Sequence, residues 1–201
     1  MVRLAQPDDS DEALVRLAGR GDRAAATLLI ERHTDKIYAG CFRMLGERAS
    51  AEDAAQETFL RLWKNAHRWK PQGAKFETWL YRVAMNYCLD QLRKSGREIN
   101  EDAAPERADP APGPADNYFA GEQSFAIAAA LATLPDRQRL AITLCHFQEL
   151  SNIEAAAIME VSVEAVESLL ARARRTLRDR LAPMKPYLTG TMSDDAITNT
   201  S

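Results

Sequence analysis

Cysteine is scarce in this 201-residue chain, and its number is odd: Cys41, Cys88 and Cys145 stand far apart. Scattered thiols of this kind do not make a disulfide framework, so a reducing, cytoplasmic setting is expected. Long apolar runs are missing too. None approaches the ~20 residues a membrane-spanning helix needs. The polar start, with Pro7, Asp8 and Asp9, is unlike a secretory signal, and no membrane insertion is expected. Positive charge is not in excess: 26 Lys and Arg face 29 Asp and Glu, a formal net charge of −3 with a pI near 5.7. A globally basic nucleic-acid binder is thereby excluded, and any DNA contact has to come from local patches. That suits a subunit reaching DNA through a larger partner.

Catalytic equipment is equally thin. His33, His67 and His146 are too dispersed to suggest a metal site, and adjacent Cys145 and His146 turn to different faces of a helix. A packed cysteine beside a surface histidine is the expectation there. There is no glycine-rich phosphate loop and no identifiable nucleophile with an ordered base. The chain is expected to be no enzyme, with no catalytic residues, no metal and no cofactor.

What is present is helix. With 46% hydrophobic residues the chain can fill one large core or two small ones. Apolar residues recur at helical spacing and no strand pattern stands out, so the fold class is all-α. Residues 11–32 read as a helix or helix pair interrupted at Gly19 and Gly21, and 36–45 as a further helix ending at Gly46. A helix from Ser50 to about Arg68 follows, opened by a capping box of Ser50 and Asp53. Its stripe is Ala55, Phe59 and Leu62, with Leu60 and Trp63 ambiguous. Beyond a turn at Pro71 to Gly73, a long helix carries the stripe Phe76, Leu80, Val83 and Tyr87.

From residue 98 to 120 the composition changes abruptly. Pro105, Pro110, Pro112 and Pro114 mix with Glu98, Glu101, Asp102, Glu106 and Asp109. This is the signature of a flexible acidic linker, dividing a helical domain over 11–97 from another over 121–182. The ends, 1–10 and 183–201, are expected to be disordered. In the second domain Pro135 is expected at a first helical position by its fixed φ, before Leu140, Leu144 and Phe147. Ser151 and Glu154 form a capping box for a short helix. Ser162 caps the last helix, with the stripe Val166, Leu170, Ala173, Leu177 and Leu181.

Two helices carry groups suited to DNA. Beside the stripe of the long helix stand Arg82, Asn86, Arg93 and Lys94, with Trp79 and Tyr81 at its start. Cations hold phosphates, while aromatics and an amide can stack on or bond unpaired bases. The same residues also fit an amphipathic helix with a solvated basic face, and Asn86 can equally cap a local backbone group. At the other end, a short capped helix, a turn and a longer capped helix outline a helix-turn-helix. Its reading face is Ser162, Glu164, Ala165, Glu167, Ser168, Ala171 and Arg172, with Arg174, Arg175 and Arg178 able to reach phosphates. A plain helical hairpin with a basic end is the alternative.

Order and spacing then point to a family. Asp53-x-x-Gln56-Glu57-x-Phe59, Trp79-Leu80-Tyr81-Arg82-Val83-Ala84-x-Asn86 and Arg93-Lys94 together resemble region 2 of bacterial sigma factors, in the extracytoplasmic-function group of the sigma-70 family. Leu134-Pro135-x-Arg137-Gln138-Arg139, Ser151-x-x-Glu154-Ala155-Ala156 and Leu170-Ala171-Arg172-Ala173-Arg174 resemble region 4 of the same group. The resemblance spans roughly residues 11–94 and 123–181.

It implies a sigma subunit that binds core RNA polymerase and directs promoter-specific initiation, under stress or envelope signals. Asp53, Gln56, Glu57 and Arg61 are then the seat for the β′ clamp helices, and region 4 meets the β flap. Lys75, Trp79, Arg82, Asn86, Arg93 and Lys94 fall to reading and melting the −10 element, aided by the 70–76 loop. Asn86 matches a family position near a flipped-out base. Ser162, Glu164, Ala165, Glu167, Ser168, Arg172 and Arg175 fall to the −35 element. An anti-sigma factor is the implied regulator, and the acidic linker is implied to thread through polymerase. Two departures stand out. Glu160 occupies a turn position that is usually Gly, and Glu167 with Leu169 replaces the usual basic pair. The competing reading is an autonomous helix-turn-helix regulator that dimerises through its N-terminal helices.

Overall fold

The computed structural model describes residues 5–70, 75–101 and 122–181, and the side chains of all these except 97–101, 122, 123 and 181. The expected linker beyond 101, most of the 70–76 loop and the expected tail over 183–201 lie outside the described residues.

Every regular element among the described residues is a helix. The order is α1 (Asp11–Ala18), α2 (Arg23–Leu45), α3 (Arg48–Asn65), α4 (Phe76–Glu101), α5 (Glu122–Ala132), α6 (Asp136–Ile142), α7 (Asn152–Met159) and α8 (Val163–Leu181). A short 3₁₀ turn, Ala66–Arg68, ends α3, and a π-turn, Thr143–Phe147, ends α6.

Of the 1–10 segment expected to be disordered, residues 5–10 have defined structure. Arg32 donates to the backbone oxygens of Pro7 and Asp9, and Ser10 caps α1 by accepting from the Ala13 amide. The segment is thus held by hydrogen bonds rather than by an apolar stripe, which is why composition did not reveal it. Next, α1 stops at Gly19. A Cβ there would lie 2.8 Å from the backbone of Ala66 and His67, so only glycine lets these two chain segments touch. Residues 23–45, in contrast, form one uninterrupted helix. Asp22 caps its start, and Gly46 ends it in the left-handed conformation at φ 76°.

His33, buried in the middle of α2, joins three helices. Its Nε2 lies 2.7 Å from the Asp11 carboxylate, and its ring meets Phe76 edge-on at 5.5 Å. The His33 bond, with Arg32 beside it, holds the Asp11 carboxyl below its ordinary range.

The start of α3 differs from the capping box at Ser50. The helix begins earlier, at Arg48, with the Glu47 side chain accepting from the Ser50 amide. Its buried side is Ala51, Ala54, Ala55, Thr58 and Leu62, and Phe59 is only half-buried. These small residues let α3 lie close against α2. Along α4 the buried face is also rotated from the expected stripe. Phe76 and Leu80 are buried as expected, but Tyr81, Ala84, Met85 and Cys88 complete the face, while Val83 and Tyr87 are half-buried. The rotation arises because α4 is covered on two sides, by α2 and α3 and by the C-terminal helices.

That second cover comes from α6 and α7, while α5 and its neighbours also pack on α2. Phe125 of α5 meets Phe42 edge-on at 5.2 Å, with the Arg48 guanidinium 4.9 Å from its own ring. Arg43 lies 4.4 Å over Phe147. Arg139, 7% exposed, donates to the Leu131, Ala132 and Leu134 carbonyls and, at 2.6 Å, to Met44 of α2. The buried apolar core therefore runs from one half into the other.

Within the C-terminal half, Pro135 is the residue flanking α6 rather than its first helical residue. The Ser151 capping box is complete in both directions. Ser162 accepts from the Ala165 amide at 3.2 Å, and Val166, Leu170 and Ala173 are buried. Between α7 and α8, Glu160 adopts the left-handed conformation at φ 53°, a cost that Gly in this turn avoids. Cys145 is half-buried and His146 exposed, where it accepts from Arg174.

Candidate nucleic-acid interface

Three surfaces collect the candidate residues. The first is the outer face of α3. Asp53 and Gln56 are exposed and share a row with Leu60 and Trp63, which are 46% and 48% exposed. Large apolar side chains left in water beside a carboxylate and an amide suit a protein partner. Sequence alone left Leu60 and Trp63 undecided. Glu57 and Arg61 differ from their neighbours: each is half-buried, they pair at 2.8 Å, and the Arg61 guanidinium lies 5.3 Å from the Tyr87 ring. They stiffen the α3–α4 junction behind the exposed row.

The second surface runs along α4. Trp79 is half-buried and lies against Phe76, ring centroids 6.0 Å apart, and Phe76 in turn meets Trp69 edge-on at 5.8 Å. This aromatic cluster fixes the helix start just after residues 71–74. Lys75 is exposed but engaged, 3.2 Å from the Glu154 carboxylate of α7. Arg82 is half-buried, and its Nε is buried without a hydrogen bond among the described residues. Asn86 is exposed to a groove of about 320 Å³ shared with Asp90 and Arg93. Arg93 is tied loosely to Asp90 at 3.3 Å. Lys94 turns away from this row into a second groove of about 320 Å³, lined also by Asp53, Tyr87 and Gln91. The −10 candidates on α4 thus divide between two sides of the helix. Tyr81, which sequence put with the DNA-facing aromatics, is buried. Its hydroxyl donates to Gln148 at 2.6 Å, and burial pushes the phenol well above its usual range.

The third surface is the start of α8. Ser162, Glu164, Glu167, Ser168, Ala171, Arg172 and Arg175 are exposed along one side, and Ala165 is half-buried. Hydrogen bonds from its own backbone and the Ser162 hydroxyl lower the Glu164 carboxyl, which is thereby occupied in capping. Glu167 is the carboxylate left facing outward from the second turn. Arg174 is set apart from the other arginines by its bond to His146.

Gln148 and Arg139 are the structural residues that sequence reasoning missed as a pair. Arg139 had a signal, its place in the Leu134-to-Arg139 motif, but the carbonyls it serves are scattered over two halves of the chain. Gln148 had none, because its partners Tyr81 and Lys36 are distant in sequence.

Comparison with known proteins accounts for this arrangement. The profile of Sigma-70 region 2 matches residues 29–98, and that of Sigma-70, region 4 matches residues 124–177. The ECF RNA polymerase sigma factor SigE of Mycolicibacterium smegmatis is 35% identical over 184 residues, 88% of this chain and 70% of that protein. SigW of Bacillus subtilis, also an ECF RNA polymerase sigma factor, is 34% identical over 177 residues, 83% of this chain and 94% of its own. Among solved structures, the sigma factor RpoE in complex with the anti-sigma factor NepR from Bartonella quintana gives a TM-score of 0.64 at 26% identity, covering 78% of this chain and 96% of that one. CnrH in complex with the cytosolic domain of CnrY gives 0.66 at 25% identity, covering 87% and 99%. No helix among the described residues is long and apolar enough to cross a membrane. The matches extend over both halves: this chain belongs to the sigma-70 family, in its extracytoplasmic-function group, and is a sigma subunit that joins core RNA polymerase to direct transcription from promoters.

Proposed function

We propose that the three surfaces divide the work of initiation. Asp53 and Gln56, joined by Leu60 and Trp63, seat the chain on the β′ clamp helices, and Glu57 with Arg61 keeps that face rigid. The observation that carries this is the exposed α3 row, in which two large apolar side chains stand in water beside polar ones. On α4, Asn86 reads an unpaired −10 base through its amide, and Trp79 supplies an apolar edge beside it. Lys75, Arg82, Arg93 and Lys94 hold phosphates, which fix register without specifying sequence.

On α8, Ser162, Glu164, Ala165, Glu167 and Ser168 face base edges of the −35 element, while Arg172 and Arg175 supply the positive charge. Glu167 accepts from a cytosine N4 amine where a basic residue would seek guanine. The working units are 11–97 and 121–182, with region 4 also meeting the β flap. The chain acts in the cytoplasm and is not an enzyme. Because a solved relative above is bound to an anti-sigma factor, an anti-sigma partner is proposed here too, releasing the chain under stress or envelope signals.

Reconstitution with core polymerase tests the reading. Run-off from a promoter with both elements is expected only when chain and core are combined. Asp53→Lys with Gln56→Lys is expected to abolish co-elution with core. Full co-elution of that variant sinks the α3 assignment, and a specific promoter shift by the chain alone returns the autonomous-regulator reading.

A further inference from the structure

Resting on the reading of α8 as the −35 helix, we propose that His146 and Arg174 form a further phosphate site, at which His146 takes up a proton as DNA arrives. The site lies within the second half, between the π-turn after α6 and the outer part of α8. Arg174 continues the row of Glu167 and Ala171 at spacings of four and three, so it shares the side of α8 that carries the reading face. It stands eleven positions beyond Val163, about 17 Å along the helix. The major groove is about 8.5 Å deep and about 12 Å wide. A side chain that far from the helix start meets the sugar-phosphate backbone rather than base edges.

The free site fixes the protonation state of the ring. Arg174 aims two N–H bonds at one atom, His146 Nε2, from Nε at 3.3 Å and from Nη2 at 3.0 Å. A guanidinium can only donate, so Nε2 has to offer its lone pair and the imidazole has to be neutral. Both side chains are exposed. Around them no carboxylate competes. Arg174 and Arg178, one turn on, have no ion pair among the described residues, and Glu149, three residues beyond His146, has none either. Cys145 donates to Asn152 of α7 at 3.6 Å, and burial pushes its thiol above the usual range, so it stays uncharged. Arg43 of α2 lies over the neighbouring Phe147 ring. The corner is positive on every side.

A phosphate changes the balance at Nε2. Its oxygens accept from Arg174 in place of the ring, which frees the lone pair. Its negative charge then favours imidazolium over imidazole, and histidine is the side chain suited to that change near neutral pH. The proton passes from solvent to Nε2, and the new N–H donates to a second phosphate oxygen. Without the phosphate, the same proton sets two cations against each other and breaks the Arg174 bond. Binding and protonation thus favour each other: affinity rises as pH falls and levels off once the free ring is itself protonated. Because the contact is to the backbone, it strengthens all sequences alike.

The test titrates the full chain with a −35 duplex by anisotropy, and counts protons by calorimetry in two buffers of different ionisation enthalpy. The parent should bind about fivefold tighter at about pH 6 than at about pH 8, and take up a fraction of a proton per complex between them. His146→Gln, whose amide oxygen can still accept from Arg174, should lose both the uptake and the gain on acidification. His146→Lys, a permanent cation, should bind tightly at both pH values. A scrambled duplex should take up the proton as the −35 duplex does. Binding by the parent that ignores pH, or uptake that survives in His146→Gln, overturns the site. Uptake confined to the −35 sequence overturns its assignment to phosphate. The α8 reading fails separately: proton uptake on any duplex, with no preference for the −35 sequence, removes that reading and keeps the phosphate site.

Discussion

The two helices proposed to face DNA are built alike and presented differently. Both α4 and α8 bury one stripe and carry arginines off it. Yet α8 turns Arg172 and Arg175 into solvent, whereas α4 meets the second half of its own chain at Lys75 and at the Asn86 groove. A basic helix face is therefore no measure of an available one. What decides is whether another element of the same molecule supplies competing carboxylates.

The comparison can be broken most forcefully at Arg139. Arg139→Met removes the donor to carbonyls in both halves and is expected to cost about 3 kcal/mol, because buried acceptors are left unpaired. Urea unfolding followed by both far-ultraviolet dichroism and tryptophan emission checks it. The tryptophans all lie in the N-terminal half, so non-coincident transitions would show the halves parting. A loss under 1 kcal/mol would mean that Arg139 is not what holds the two halves together.

A smaller effect separates the helices by function. Arg172→Ala with Arg175→Ala is expected to cost about 2 kcal/mol, about thirtyfold in −35 duplex binding, and to flatten its salt dependence. Gln148→Ala should leave that binding untouched, since α8 needs no uncovering. A gain in −35 affinity from Gln148→Ala would put α8 under the same cover as α4.

Below that come the caps and the carboxylates. Ser151→Ala is expected to destabilise the C-terminal half by about 1 kcal/mol, read as a lower urea midpoint. Acid should act on both halves through groups held low. Asp11 is held down by His33 and Arg32, and Glu154 by the Ser151 amide and hydroxyl, with Lys75 adding to it. A carboxyl with a depressed folded value binds its proton more readily in the unfolded chain. Its contribution is complete above the ordinary values of 3.8 and 4.5 and fades as pH falls through the lower folded ones. Unfolding midpoints taken from pH 6 down to about 2 should fall more steeply for the parent than for Asp11→Asn. Equal slopes would remove Asp11 from the account. The smallest effect has the opposite sign: Glu160→Gly should raise stability by about 0.5 kcal/mol by relieving the left-handed turn. A lower midpoint would show that the Glu160 side chain contributes more than its backbone costs.

Much of this was legible in the sequence because it is local. The Ser151 box, the Ser162 cap and the Val166, Leu170 and Ala173 part of the α8 stripe depend on residues three or four apart, and these stand where spacing put them. The helical class and the family followed from the same short-range patterns. What was missed is long-range. The buried face of α4 is rotated because a second layer covers Tyr81 and Met85, and no periodicity in one helix records a cover on its other side. The start of α3 moved because Glu47 rather than Ser50 met the free amides. Of the α4 candidates, Lys94 parted from Asn86 and Arg93 because adjacent positions on a helix point about 100° apart, which a list of basic residues conceals.

The π-turn after α6 bears on how such a chain can change over generations. Its wide hydrogen bond, from the Gln148 amide to the Thr143 carbonyl at 3.1 Å, accommodates one residue more than an α-turn. That surplus residue sets the phase at which the chain leaves α6 and aims Gln148 toward Tyr81. Losing a single codon there would restore an ordinary turn and swing the amide by about 100°, with every side chain proposed to face DNA from α4 and α8 untouched. The grip between the two halves can thus drift independently of the helix faces proposed to read promoters.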